Sequence, residues 1–193
     1  MMCKAKILII GDTHIPRRAD KIPEPILSCI DTNMPYDYIL FTGDLVEESV
    51  KGLLKRWSSN LYIVKGNMDF LDLPNYLIIN VCDVRFGLIH GHQVYPRGNL
   101  GGLARIADKM GVKVLVSGHT HNPFATEYKI GSKEVILLNP GSATGVWSGG
   151  VASMKPSFMI CALEGSTLIT KLYELDKGRL CVKNYMFSLT NIY

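Results

Sequence analysis

The sequence predicts an α/β fold of two sheets packed face to face with helices outside, on three observations. Short, β-branched apolar runs alternate with helix-like segments through the first two thirds. Those runs repeatedly end in Gly plus a polar residue, or lead into a His-rich turn. The last third then changes to apolar runs joined by very short turns, the pattern of antiparallel hairpins. Alternation of strand and helix favours largely parallel strands, and the tail is expected to contribute a second, mixed sheet.

In order, the strand-like runs are "ILIIGDTH" (7–14), "YILFTGDL" (38–45), "LYIVKGNMD" (61–69), "RFGLIHGHQ" (85–93), "VLVSGHTH" (114–121) and "VILLNPGSAT" (135–144). Helices are expected over 23–33, where early prolines are tolerated in a first turn, and over 47–57. The second of these puts acidic residues first and basic residues last, matching the helix dipole. A third, over 99–111, has Asn99 as its N-cap and Gly111 as its stop. The tail strands are 156–165, 166–175 and 178–187, and 146–156 reads as a loop that exposes Trp147.

A chain of 193 residues without a linker suits one domain, 1–193. Charged residues make up 20% and hydrophobic residues 47%, which excludes a disordered chain. The net charge of +4 is scattered, and its densest run, "PRRADK" (16–21), reads as a solvated loop. A nucleic-acid binder would need a clustered basic face. Five cysteines without a CxxC pair argue against a disulfide framework or a thiolate zinc site. They read as small core residues, with a reducing compartment implied. No signal peptide or membrane-length apolar run is visible.

Ligands of open α/β sheets bind outside the carboxyl ends of the strands. Parallel strands of one sheet end at a common edge, so the polar endings are expected to converge across one crevice. They bring Asp12, His14, Asp44, Asn67, His90, His92, His119 and His121, a set that holds all five histidines of the chain. One such ending is usually a turn; five with the same grammar are not explained that way. Carboxylate, amide oxygen and imidazole without sulfur suit Mn²⁺, Zn²⁺ or Fe²⁺. A carboxylate such as Asp44 can bridge two cations, as in two-metal hydrolases. Asn67 and Asp69 both look like parts of this site, with Met68 between them.

The motifs D-x-H, G-D, G-N-H-D/E, G-H and G-H-x-H occur in order at 12–14, 43–44, 66–69, 90–92 and 118–121, and so the chain resembles the calcineurin-like metallophosphoesterase superfamily. The resemblance implies a four-layer α/β/β/α sandwich of two mixed sheets and two divalent metal ions. One ion would be held by Asp12, His14, Asp44 and His121, the other by Asp44, Asn67, His90 and His119. The superfamily's catalytic histidine is replaced by Met68, which has no titratable proton, so efficient turnover is not expected. His92, beside the ligands, is the alternative donor.

"GLIHGHQVYPRG" (87–98), "GHTHNPF" (118–124), "LNPGSATG" (138–145) and 156–175 resemble the vacuolar protein sorting 29 family more closely. That resemblance implies a scaffold subunit of a retromer-type complex in endosome-to-Golgi transport, cytoplasmic and brought to endosomal membranes by its partners. Its main partner would be the helical-solenoid subunit of the vacuolar protein sorting 35 type. Val94 and Tyr95, an apolar pair on the crevice rim, suit that contact; the alternative tucks Tyr95 into the core. A second apolar surface for regulators would lie near Ile160 and Tyr173, although Lys171 stands where an aromatic is expected. The competing reading is a weakly active metal-dependent phosphodiesterase.

Overall fold

The computed structural model describes residues 3–189. In chain order the elements are β1 (Lys4–Ile10), α1 (Glu24–Thr32), β2 (Tyr38–Phe41), α2 (Ser49–Trp57), β3 (Leu61–Ile63), β4 (Tyr76–Val81) and β5 (Val84–Ile89). They continue with α3 (Leu100–Met110), β6 (Val114–Val116), β7 (Phe124–Ile130), β8 (Lys133–Asn139), β9 (Ser157–Glu164), β10 (Thr167–Asp176) and β11 (Arg179–Ser188). Two mixed sheets form, ordered β11-β10-β9-β1-β2-β3 and β4-β5-β6-β8-β7. Parallel pairing joins β1 to β2 and β2 to β3 in the first, and β5 to β6 and β6 to β8 in the second.

Strands buried on both faces read as continuous apolar runs, and β1 shows why. Ile7 and Ile9 join Leu40, Phe86, Leu88, Val116, Leu138 and Met159 in the core between the sheets. Leu8 and Ile10 point the other way, with Ile39 and Phe41, against Ile26 and Ile30 of α1 and Leu54 and Trp57 of α2. On the second sheet, Ile89, Leu115 and Leu137 meet Leu103, Ala104 and Ala107 of α3. The layers therefore run helix, sheet, sheet, helix. Asn99 caps α3 by accepting from the Gly102 N–H at 2.7 Å, and Gly111 ends it in the left-handed region at φ 61°.

Four details depart from the sequence-based expectation. The tail strands do not build a sheet of their own. Instead β9 pairs antiparallel with β1 and extends the first sheet. The parallel strands are likewise shared between two sheets. Strands β4 and β7, which no Gly-polar ending marks, complete the second sheet. Helix α2 starts at Ser49, so Glu47 and Glu48 precede its first turn.

The cysteines differ as well. Cys3 and Cys82, 79 positions apart, form a disulfide. Of the free cysteines, Cys161 alone is buried; Cys29 is half-buried and Cys181 exposed. The disulfide joins the start of β1 to the β4–β5 turn, far along both strands from the metal-type residues.

Candidate metal centre

Six strand endings are brought to one crevice because β1, β2 and β3 of one sheet and β5, β6 and β8 of the other all point their carboxyl ends the same way. Asp12 and His14 follow β1, Asp44 follows β2, Asn67 follows β3, His90 follows β5, and His119 and His121 follow β6. Asp12, His14, Asp44, His119 and His121 have φ between 49° and 68°. Left-handed backbone costs a non-glycine residue roughly 1–2 kcal/mol, and such strain gathers at functional sites. The crevice needs close backbone approach too. A Cβ on Gly66 would lie 2.1 Å from Asp44 Oδ1, and one on Gly118 would lie 2.3 Å from Asp12 Oδ2.

Two groups of side chains converge. Asp12, His14 and His121 form one, and Asp12, Asp44 and His90 the other, with ligand atoms within 4.8 Å of one another in each. His14 Nε2 lies 3.1 Å from His121 Nε2 and 3.3 Å from Asp44 Oδ2. His121 Nε2 lies 3.3 Å from Asp12 Oδ1. On the other side, His90 Nε2 lies 3.5 Å from Asp44 Oδ2 and 3.0 Å from Asn67 Oδ1. Ligands about 2.1 Å from one cation stand roughly 3–3.5 Å from each other, so these spacings fit coordination edges. Asp44 Oδ2 faces both sides and is placed to bridge.

The tautomers agree with that reading. His90 Nδ1 is 2.8 Å from the Thr42 carbonyl and His121 Nδ1 is 2.6 Å from the Val146 carbonyl. A carbonyl only accepts, so each Nδ1 carries the proton and each Nε2 turns a lone pair inward. The lone pair of His90 Nε2 then faces Asn67 Oδ1, an acceptor facing an acceptor, which a cation between them reconciles.

Electrostatics favour the same occupant. Burial drives the imidazoles of His14 and His119 down to about 4 and about 3, so both stay neutral. Burial also pushes Asp44 up, to about 6, with the nearby Asp12 charge adding to it and His90 opposing. Asp12 is pushed up by burial too, but its hydrogen bond to His121 and the surrounding imidazoles outweigh this and hold it low.

His119 joins neither convergent group. Its ring sits 5.0 Å from that of His90, and its main-chain N–H donates to the Asp12 carboxylate. His92 is exposed, with its ring 5.4 Å from His90 and 6.2 Å from His119. Asp69 belongs to the site as a clamp on its backbone. Its Oδ2 accepts from the N–H groups of Asp44 and Gly66 at 2.9 and 2.8 Å, and its Oδ1 from that of Val46 at 2.7 Å. Asp44 and Val46 are both left-handed, so this carboxylate offsets their strain. No signal in the sequence separated this clamp from a ligand. Ser142, whose hydroxyl donates to the Asp12 carbonyl at 2.7 Å, and Thr42 are further supports that carried no such signal.

The rim is apolar. Tyr95 is 93% exposed, Val151 88%, Phe70 77%, Trp147 58% and Met154 56%. Tyr95 is therefore not in the core. Its neighbour Val94 departs from the contact role expected of it, being buried at 6% exposure against α3. On the far side, Ile160 and Tyr173 are only 6% and 9% exposed. They line a pocket of about 380 Å³ together with Lys4, Lys6 and Lys171 and with Asp37 and Glu164.

Comparison with known proteins agrees with this geometry. Residues 5–165 match the family model of the calcineurin-like phosphoesterase superfamily domain. A probable metallophosphoesterase of Methanocaldococcus jannaschii is 40% identical over 136 residues, 70% of this chain and 67% of the relative. The structure of vacuolar protein sorting 29 from Cryptosporidium parvum superposes with a TM-score of 0.88 at 31% identity, over 96% of this chain and 99% of that one. The wild-type Entamoeba histolytica protein of the same name, complexed with Zn²⁺, gives 0.85 at 34% identity, over 95% and 99%.

Proposed function

The chain belongs to the calcineurin-like phosphoesterase superfamily, and within it to the vacuolar protein sorting 29-like proteins; from that premise we propose that it is the scaffold subunit of a retromer-type complex. The observation that carries the proposal is the apolar rim of Tyr95, Phe70, Trp147, Val151 and Met154 around a polar centre. A small polar substrate gains nothing from such a rim, whereas a protein partner buries it, and aromatic anchors dominate protein contacts. The partner is a helical-solenoid subunit of the vacuolar protein sorting 35 type, docking over the metal mouth. In this reading the chain acts in endosome-to-Golgi transport, in the cytoplasm, and reaches endosomal membranes through the complex. Among the described residues no helix is long and apolar enough to cross a membrane. The pocket over Ile160 and Tyr173, which mixes Lys4, Lys6 and Lys171 with Asp37 and Glu164, is the place for regulators. The test is a pull-down with a purified solenoid subunit: wild type binds, and Tyr95→Asp does not. Equal capture of both would remove the rim from the interface.

Two divalent ions of the Mn, Zn or Fe class fit Asp12, His14, Asp44 and His121 on one side and Asp44, Asn67, His90 and His119 on the other. Bound there, such ions lower the pKa of a coordinated water and neutralise charge on a phosphoryl group. The chain's own residues hold the centre rigid: Asp69 fixes the Asp44 turn, and Thr42 and Val146 orient the imidazoles of His90 and His121.

A second reading, a weak metal-dependent phosphodiesterase, is favoured by the convergence of Asp12, His14 and His121 and of Asp12, Asp44 and His90, with Asn67 beside His90. Met68 offers no proton, and His92 is the nearest imidazole outside the expected ligands. Mn²⁺-stimulated hydrolysis of bis(p-nitrophenyl) phosphate, lost in Asp44→Ala, would support it.

A further inference from the structure

A pocket of about 540 Å³ opens beside the metal centre, lined among others by Arg97, Leu100, Thr120, Asn122, Phe124 and Val151. Its size lies within the range of small-molecule sites, about 300–1,000 Å³. It shares a wall with the candidate ligands. Thr120 stands between His119 and His121, and Arg97 Nη2 donates to the His119 carbonyl and, at 2.9 Å, to that of Ser148. Arg97 is thus tied between the ligand turn and the 146–150 loop, on the side of the pocket nearest the metal residues.

The chemistry of the lining is of two kinds. Leu100 and Phe124 are partly buried against the α3 core and form an apolar wall, and Val151 faces solvent at the mouth. Asn122 and Thr120 form a polar edge. Asn122 Nδ2 donates one hydrogen to the Val151 carbonyl at 3.2 Å, while its Oδ1 has no partner among the described residues. Thr120 Oγ1 accepts from Asn122 N and from Asn139 Nδ2, so its own hydrogen is left to donate. Flat apolar wall, paired donor and acceptor at one edge, and a guanidinium on the phosphate side match one ligand class.

We propose that this pocket takes the base of a nucleotide whose phosphate rests at the metal centre. The proposal rests on reading that centre as a divalent-metal site able to take a phosphate, and adds the class of group attached to it. A nucleobase has apolar faces to lie on Phe124 and Leu100. Its edge carries neighbouring donors and acceptors, which an Asn side-chain amide can pair bidentately. A purely apolar group would leave the Asn122 amide and Thr120 hydroxyl unmatched, and a bare sugar would leave the Phe124 wall wet.

The test is equilibrium binding to the Mn²⁺-loaded protein, using adenosine 5′-monophosphate and, as the base-free comparison, ribose 5-phosphate. Base stacking alone is worth roughly tenfold in affinity, so the nucleotide is expected to bind about tenfold tighter or more. Asn122→Ala and Val151→Asp are each expected to cut that ratio at least about threefold. Val151 is exposed, so this variant keeps the test open if a change at Asn122 disturbs folding. Mn²⁺ affinity, titrated separately, reports the centre itself. Equal affinity for the two compounds with Mn²⁺ bound overturns the proposal and leaves the metal reading intact, as does a ratio that survives both variants. Binding of neither compound to the loaded protein also overturns it. Failure to bind Mn²⁺ removes the premise and the proposal together.

Discussion

The main-chain N–H of Met68 donates to Oδ1 of Asp44 at 2.8 Å, leaving Oδ2 of Asp44 to face His14 and His90. The position after Asn67 therefore supports the bridging carboxylate through its backbone, whatever its side chain. Met68→His is expected to keep metal affinity and to add the missing proton donor. General acid catalysis contributes about 10²–10⁴-fold, so Mn²⁺-dependent phosphodiester hydrolysis should rise by at least about tenfold. No gain in the metal-loaded variant would show that the mouth is shaped for a partner and not for turnover.

Asp69 predicts a second outcome. Its buried carboxylate accepts three main-chain N–H bonds, from Asp44, Val46 and Gly66. Hydrogen bonds to a charged group contribute about 1.5–3 kcal/mol each, though not additively. Asp69→Ala should lose roughly 3–5 kcal/mol, about 10 °C in Tm for a chain of this size. Metal affinity should fall with it, because Asp44 and Val46 are left-handed and held by this clamp. A Tm within about 2 °C of wild type would remove Asp69 from that role.

Metal stabilisation should depend on pH with a definite sign. Burial chiefly pushes Asp44 up to about 6. Burial pulls His121 down, but its hydrogen bond to Asp12 and the charge of Asp12 outweigh this and raise it. Both must be deprotonated to ligate, so protons compete increasingly as pH falls through 6. His14 and His119, at about 4 and about 3, are already neutral there. In the metal-free protein the groups oppose one another. Asp44 binds more protons folded than unfolded between 3.8 and about 6, so its part of the stability falls as pH rises; His14 and His119 act in the reverse sense below 6.5. The difference in Tm with and without Mn²⁺ isolates the ligation. With free metal near 100 times Kd it corresponds to about 2.7 kcal/mol at pH 7.5, and it should shrink towards zero by about pH 5. A pH-independent difference would contradict the ligand role of Asp44.

Much of this was legible in the chain. Each Gly-polar ending carries its own ligand type, so Asp12, His14, Asp44 and the His90 and His119–His121 turns could be read one at a time. Sheet membership could not, because β9 looks the same whether it opens a new sheet or pairs with β1. The Cys3–Cys82 pairing depends on stacking the start of β1 over the β4–β5 turn, a contact between elements 79 positions apart. Asp69 carries the same carboxylate as a ligand, and only its backbone partners reveal a clamp.

Val94 and Tyr95 show the same limit and yield the last prediction. Both read as rim residues, yet a turn closed by Val94 N to the Gly91 carbonyl at 3.2 Å sends them opposite ways. Val94 packs so closely on α3 that a Cβ on Gly102 would lie 2.7 Å from its Cγ1. Val94→Asp places an unpaired charge in that contact and should cost several kcal/mol, seen as a large fall in Tm without any partner present. Tyr95→Asp touches no core residue and should leave Tm and Mn²⁺ affinity within error, while capture by the solenoid subunit is lost. The pair separates fold from interface. If Tyr95→Asp unfolds the protein, its lost binding says nothing of docking; if Val94→Asp is stable and binding-deficient, the docking surface includes the floor of the rim as well as its edge.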